Sequence, residues 1–538
     1  MKKTHRKIVS GALLCGCALF TLYGASRMSE RAENGALPTA LTDSSYTQKS
    51  SPRGNVIKLR KRCKRPKLLH LFYVYNVNFH KKVLTNSPKC AAQLIRYTHL
   101  IGGFTVQKYC NIVKSKLNTL IRSMEKNASA FVVNPKRDFV RKSELSFSKT
   151  MRFILGMGSQ TLGKELMDFY DFDPKMVSVS AIVQRRSKIL PAAFQYLFHK
   201  FNEIFSQTSF FHGYRLYAVD GSDIHIPTIP DDHSTNFSSN ADSKSFNLMH
   251  LNALYDLMNR RYIEAVLQDR RSENEHSALI SMIENIGHDS IVVADRGYES
   301  YNTIAHLENN GLKYVIRIKT SGGIAQKFNI PHNEETDFTA DIIITRRQTN
   351  EVKANPELYR HIPAFSNFDF LPKGSKDTYP LKFRIIRLRI SEDNYETIVT
   401  NLCDDEFSAD DIKMIYKMRW GIETSFRELK YHVGLIAFHS KKKDCVIQEI
   451  FASLIMYNFS MLITENILID DDKHNDYCYI INYATAIHIC IAFFRCNNVS
   501  PSHLEKLIAR NKCPVRPDRN AVRKTRYHSA IGFNYRLS

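Results

Sequence analysis

Four residues late in the 538-residue chain have types and spacing that could do chemistry. At about 100° per residue in an α-helix, Tyr416, Arg419, Glu423 and Lys430 fall on one narrow face, with Ile415, Ile422, Phe426, Leu429 and Val433 as an apolar stripe beside it. A helix so patterned buries its stripe and turns an acid, two cations and an aromatic hydroxyl toward one edge. The carboxylate offers hard oxygens to a divalent cation such as Mg²⁺ or Mn²⁺, and Arg, Lys and Tyr can neutralise or donate to phosphate. Taken alone, the same helix also reads as an ion-pair ladder on a solvated face.

Two upstream acids would complete such a site. Asp220 opens the run Asp-Gly-Ser (Asp220–Ser222), and Asp295 stands in Ala-Asp-Arg-Gly-Tyr-Glu (Ala294–Glu299). Each by itself also reads as a turn residue close to a glycine. Asp231, Asp232 and His233 lie in a Ser/Asn-rich loop and read as solvated, while Trp420, the only tryptophan, reads as packing beside the helix. No zinc set competes, because the Cys and His residues lack paired close spacing.

Positioning these acids falls to a β-β-β-α-β-α-β pattern. Gly213–Pro227 alternates apolar and polar residues into Asp220 as a strand, and Leu248–Leu257 and Arg260–Gln268 flank Met258-Asn259 as a hairpin. Ser272–Gly287 has the pattern of an amphipathic helix, Ser290–Asp295 of a buried strand, Tyr301–Asn310 of a helix closed by Gly311, and Lys313–Lys319 of a further strand. That order is the ribonuclease-H-like arrangement, in which acids at the ends of the first and fourth strands, here Asp220 and Asp295, come together. Residues 320–402 read as an inserted β-rich subdomain, and a long helix opens near Ser408 with Ser-Ala-Asp-Asp as its cap.

Upstream, Thr161–Tyr170 and Ser178–Ile189 read as helices joined by a turn at Asp171–Pro174. The second carries Gln184, Arg185, Arg186 and Lys188, a set that would suit a major groove. An ordinary helical hairpin with a solvated basic face is the alternative.

The composition, 43% hydrophobic and 24% charged, excludes a collagenous, mainly disordered or multi-span membrane chain. Net charge is +23, but residues 1–124 hold 23 Lys+Arg against Glu30, Glu33 and Asp43, leaving 53 basic and 50 acidic residues for the nearly neutral body. The run Lys58–Lys67 would suit a phosphate-binding arm, or belong to a disordered leader. Basic residues before the apolar stretch Ile8–Tyr23 resemble a secretory signal or short anchor. Eleven cysteines without paired spacing argue instead for a reducing interior.

The motif order resembles the DDE transposases of bacterial insertion sequences, specifically insertion sequence family four, whose hallmark is Tyr-x2-Arg-x3-Glu-x6-Lys. Tyr416, Arg419, Glu423 and Lys430 match that spacing without a gap, and the contexts of Asp220 and Asp295 are similar to the family's. The resemblance covers about residues 110–465. It implies an α/β fold with a ribonuclease-H-like catalytic core and a β-rich insertion, preceded by an α-helical DNA-binding region. It further implies Asp220, Asp295 and Glu423 as catalytic residues and ligands of a pair of Mg²⁺ or Mn²⁺ ions, with Tyr416, Arg419 and Lys430 on DNA phosphates near the cleaved end. Arg185 and Arg186 are expected on DNA from the helical region. The implied partners are double-stranded DNA, as terminal inverted repeats and target, and a second copy of the chain during synapsis, with no membrane partner. Cut-and-paste transposition in the cytoplasm, at the nucleoid, is the expected activity. The alternatives are a decayed transposase that only binds DNA and an exported or anchored protein. The expected segments are 1–105 (leader), 106–207 (helical DNA-binding region), 208–319 (first part of the core), 320–402 (insertion), 403–465 (catalytic helix) and 466–538 (C-terminal basic helical region).

Overall fold

The computed structural model describes residues 106–515 apart from 206, 230, 239–244, 321, 332, 392–393, 470–477 and 496–499. The leader, its signal-like stretch, and the C-terminal basic run beyond residue 515 lie outside the described residues. Helices come first: α1 (Val106–Lys126), α2 (Phe147–Gly156), α3 (Leu162–Phe169), α4 (Val179–Arg186) and α5 (Pro191–Ile204). The Ser146 and Ser178 side chains accept the Lys149 and Ala181 amides at the starts of α2 and α4, satisfying donors that a helix N-terminus leaves open.

The sheet follows. Its first part is β1 (Arg215–Ile226), β2 (Asn236–Phe237), β3 (Phe246–Asp256), β4 (Arg261–Asp269), then α6 (Glu275–Ile283), β5 (Ser290–Ala294), α7 (Tyr301–Asn309) and β6 (Lys313–Ile318). Next come β7 (Thr336–Thr345), α8 (Asn350–Ala354), β8 (Tyr359–His361), β9 (Thr378–Ser391) and β10 (Asn394–Thr400). Strand order is β2-β3-β1-β5-β6-β10-β9-β7-β8, with β4 also paired to β3. β1, β5 and β6 run parallel, and β3 and β10 flank them antiparallel. The segment 320–402, expected as a separate insertion, instead extends this same sheet through β10 on β6, because its strands find an open edge there.

The chain closes with α9 (Ala409–Met418), α10 (Trp420–Glu428), a π-helical turn (Leu429–Val433), α11 (Lys443–Thr464), β11 (Cys478–Ile481), α12 (Tyr483–Arg495), α13 (Pro501–Arg510) and β12 (Lys512–Val515). α11 is long and apolar enough to cross a membrane, yet 89% of its apolar window is buried among other elements, which makes it a core helix. One apolar cluster joins α1, α2, α5, α11, α12 and α13 to the β1–β3 face carrying Ala218, Ile224 and Leu251. Residues 106–207 and the described part of 466–538 therefore share a core rather than forming separate modules. Arg495 ties them, pairing with Glu165 and donating to the Gly156 carbonyl.

Arg186 corrects an expectation. Only 1% of its side chain is exposed, and it pairs with Glu449 of α11 at 2.9 Å and donates to the Cys445 carbonyl at 3.0 Å, so it cannot lie on a DNA surface. Burial pushes the Glu449 carboxyl up, but Arg186 and the His439 bonds outweigh it and hold it below the ordinary value. Removing one member of a buried pair strands the other, so Arg186→Met is expected to cost about 3 kcal/mol at pH 7, read by urea unfolding. A depressed carboxyl contributes stability above its unfolded pKa and loses it as pH falls through the folded value. The deficit of the variant against wild type should therefore shrink below about pH 4.

Candidate active site

Parallel register brings the first two acids together. β1 pairs with β5 up to Ala218↔Val293, so Asp220 and Asp295 each stand two residues beyond the last pair, on adjacent strands that lie roughly 4.8 Å apart. Asp220 is not at a strand end as expected: β1 continues to Ile226 against β3, with Asp220 opposite Ala253. Asp295 follows β5 directly and accepts the Gly297 amide at 2.8 Å, which folds the chain away from the sheet.

Glu423 arrives on α10. Ser408 and Asp411 cap α9 reciprocally, as its sequence suggests. The expected single helix breaks at Arg419, where the Arg419 amide bonds Tyr416 and the Ile422 amide bonds Arg419, both as i→i+3 contacts of 3.1 Å. The break divides the stripe: Ile415 packs with β9 and β10, whereas Ile422, Phe426, Leu429 and Val433 pack on the β1–β3 face. It also presents Trp420 at 51% exposure, against the expectation that it would pack.

A polar cluster locks α10 in place. Arg260 grips both Glu428 oxygens at 3.0 and 3.1 Å, the Tyr457 hydroxyl donates to Glu428 at 2.8 Å, and the Tyr262 and Ser425 hydroxyls bond at 2.8 Å. Gly421 permits the approach, since a Cβ there would sit 2.8 Å from Leu257 Cδ2.

Arg419 joins the acids. Its Nη2 donates to Glu423 Oε1 at 2.9 Å, and its Nη1 lies 3.9 Å from Asp220 Oδ2. Burial pushes the Asp220 carboxyl up to about 7; Arg419 opposes this, and the like charges of Asp295 and Glu423 add to it. Asp295 and Glu423 thus both lie within electrostatic reach of Asp220. Tyr298, from the same Ala294–Glu299 run, is buried beneath them, and burial with the charges of Glu275, Asp220 and Asp295 raises its phenol. No periodicity or spacing in the sequence singles out Tyr298, although it stands in the motif that locates Asp295.

The other expected contacts divide. Tyr416 is buried, with its phenol raised by burial against the pull of Arg419 and Arg317. Lys430 reaches β1, donating to Ser222 Oγ and the Asp223 carbonyl at 2.7 Å each, and burial lowers its ammonium pKa. Asp231 and His233 are exposed as expected, whereas Asp232 is half-buried and accepts from Ser234 and Thr235 to organise its loop. Arg185 lies on the helical region: it stacks 4.0 Å over Phe139, donates to the Leu145 carbonyl at 2.8 Å, and lines a cavity of about 580 Å³ with Arg141 and Lys142.

Residues 211–459 match the family model described as Transposase DDE domain. The matched segment spans Asp220, Asp295 and Glu423 together with the strands between them. A solved structure, the cryo-EM structure of the piggyBac transposase synaptic complex with hairpin DNA, is similar over 73% of this chain and 82% of that one, at 8% identity and a TM-score of 0.38. No curated protein matches the sequence.

The Arg260–Glu428 pair, in which Arg260 keeps 32% of its side chain exposed and Glu428 10%, gives a direct test of how α10 is held. Glu428→Gln leaves Arg260 with a neutral partner, and because solvent screens the partly exposed guanidinium it is expected to lower unfolding free energy by about 1–2 kcal/mol in urea titrations. Exposed Arg427→Gln should stay within about 0.5 kcal/mol of wild type.

Proposed function

We propose that the chain is a transposase of the insertion sequence family four type that cleaves DNA and transfers strands at the ends of its element with divalent cations. The observation that carries this reading is the gathering of Asp295 and Glu423 near Asp220, with Arg419 bonded to Glu423 and 3.9 Å from Asp220. The order β4-β3-β1-β5-β6 supports a ribonuclease-H-like core, extended by β7–β10 and preceded by the helical region as a DNA-binding part.

The donor set fits Mg²⁺ or Mn²⁺. Three carboxylates are hard oxygen ligands, and the upward push on Asp220, which comes first from burial and then from Asp295 and Glu423, is one that a bound cation would relieve. Asp220, Asp295 and Glu423 would hold the metal. When bound, a pair of such ions would stabilise charge on the attacking and departing oxygens of a phosphodiester exchange.

The chain's own groups supply orientation. Arg419 holds Glu423 and draws Asp220 toward it. Lys430, fixed on Ser222 and Asp223, brings positive charge beside β1, and with Tyr416 and Arg419 it would meet phosphates near the cleaved end. Arg185, Arg141 and Lys142 would neutralise phosphates along the DNA flanking that end. The substrates are double-stranded DNA with terminal inverted repeats and a target duplex, and joining two ends calls for two copies of the chain.

The test is cleavage and strand transfer by the full chain on the terminal repeats flanking its own gene. With Mg²⁺ we expect 3′-hydroxyl ends, lost in EDTA. Asp220→Asn, Asp295→Asn and Glu423→Gln should each lower cleavage by at least about 10³-fold while end binding stays within about threefold. A hairpin on the element end is the further product implied by the family resemblance. Binding without cutting by wild type would make the chain a DNA-binding protein only, and neither binding nor cutting would overturn the reading.

A further inference from the structure

Beneath the strand that carries Asp220 lies a histidine that the reaction above does not use. His250 of β3 sits opposite Asp223 of β1 and is almost wholly buried. Both ring nitrogens meet carboxylates: Nδ1 lies 2.7 Å from Asp223 Oδ1, and Nε2 lies 3.1 Å from Glu275 Oε1. Glu273, itself paired with Arg270, stands 3.8 Å from Nδ1. The bridge passes directly under Gly221, where any Cβ would lie 2.2 Å from His250 Nε2 and 2.6 Å from Glu275 Oε1. Glycine leaves room for this bridge by close approach and not by backbone angle, so a Cβ here would push the His250 and Glu275 side chains apart.

Side chains alternate along a strand, so Gly221 and Asp223 face away from the side on which Asp220 and Ser222 stand. His250 therefore grips the pleat of β1 from behind Asp220, while Lys430 grips it through Ser222 and the Asp223 carbonyl. The other end of the bridge, Glu275, is the first residue of α6. Its neighbour His276 bonds Thr303 at 2.8 Å and packs edge-on against Tyr298, three residues past Asp295. One helix start thus touches the supports of both aspartates.

We infer that His250 is a positioning residue: by bridging Asp223 and Glu275 across Gly221, it fixes the spacing of Asp220 relative to Asp295. The inference rests on the three-carboxylate reading of the site. Burial alone would lower the imidazole pKa, but the bonds to Asp223 and Glu275 outweigh it and push it up to about 9, so the bridge is cationic at neutral pH and balances the acids it joins. Asp223, His250 and Glu273 have donor atoms within 4.8 Å of one another and could be taken for a metal set. With both ring nitrogens already committed to carboxylates, the arrangement is instead complete as a hydrogen-bonded clamp.

The only tryptophan supplies a metal readout independent of activity, since Trp420 is three residues before Glu423 and packs beside Arg419. Terbium luminescence excited through Trp420 would be titrated in the full-length wild type, in His250→Asn, which loses the bridge, and in Gly221→Ala, which displaces the ring but keeps its charge. Both variants should bind Tb³⁺ about tenfold more weakly, with end-DNA affinity unchanged. Arg186→Met, which removes an ion pair elsewhere in the core, should bind Tb³⁺ as wild type does despite its lower melting temperature. Wild-type affinity in both His250→Asn and Gly221→Ala would overturn the inference and leave the three-carboxylate reading standing. Absence of Tb³⁺ binding by wild type would overturn both. Tb³⁺ binding that survives in an Asp220→Asn/Glu423→Gln double variant and is lost on adding His250→Asn would make His250 a ligand, and would also overturn the inference.

Discussion

Carboxylates held near one another and away from water are costly to keep charged, and the surroundings of Asp220 have to offset both burial and the like charges beside it. Asp220 shows the strain as a carboxyl raised to about 7, first by burial and then by Asp295 and Glu423. Arg419 offsets it by bonding Glu423 and lying close to Asp220. A single guanidinium serves both acids because its planar fork can address two oxygens at once.

Such a cluster needs stiff walls. Asp220 and Asp295 are 75 positions apart and Glu423 a further 128, so no local segment can set their geometry. The parallel β1–β5 register fixes the first pair, and the Arg260–Glu428–Tyr457 cluster fixes the helix that carries the third. Glu428 and Tyr457 are buried and bonded to each other, Glu428 is bonded also to Arg260, and such polar contacts away from water rigidify the elements they join. Behind them, α11 supplies apolar bulk shared by the N-terminal and C-terminal helices. The helical region and the sheet consequently form one body around the acids.

Much of this was legible along the chain. The alternation into Asp220, the hairpin turning at Met258-Asn259, the β-branched run before Asp295 and the Ser408 cap all appear in the structure close to where they were expected. Each depends on neighbours within a few residues, through strand periodicity, turn chemistry or end capping. The failures share a different cause. The break at Arg419 escaped because the apolar stripe continues across it, though its two halves belong to different clusters. The segment 320–402 read as a subdomain because nothing local says which sheet edge its strands will join. Trp420 read as packing because large aromatics are usually buried, whereas the turn at Arg419 leaves it half in solvent.

Arg185 and Arg186 show the division most sharply. Adjacent and identical in type, they looked alike as groups for a polyanion. In the structure Arg186 is buried against Glu449, from a helix more than 250 positions away, while Arg185 lines a cavity with Arg141, Lys142, Glu125 and Glu144. The sequence by itself determined the residue types, their spacing along helices and strands, and the order of elements, because these follow from short-range sterics and periodicity. Tertiary structure alone decided which acids meet, which cation joins them, and which is spent on internal pairing. Register, burial and long-range ion pairs depend on contacts between segments that the chain order leaves far apart.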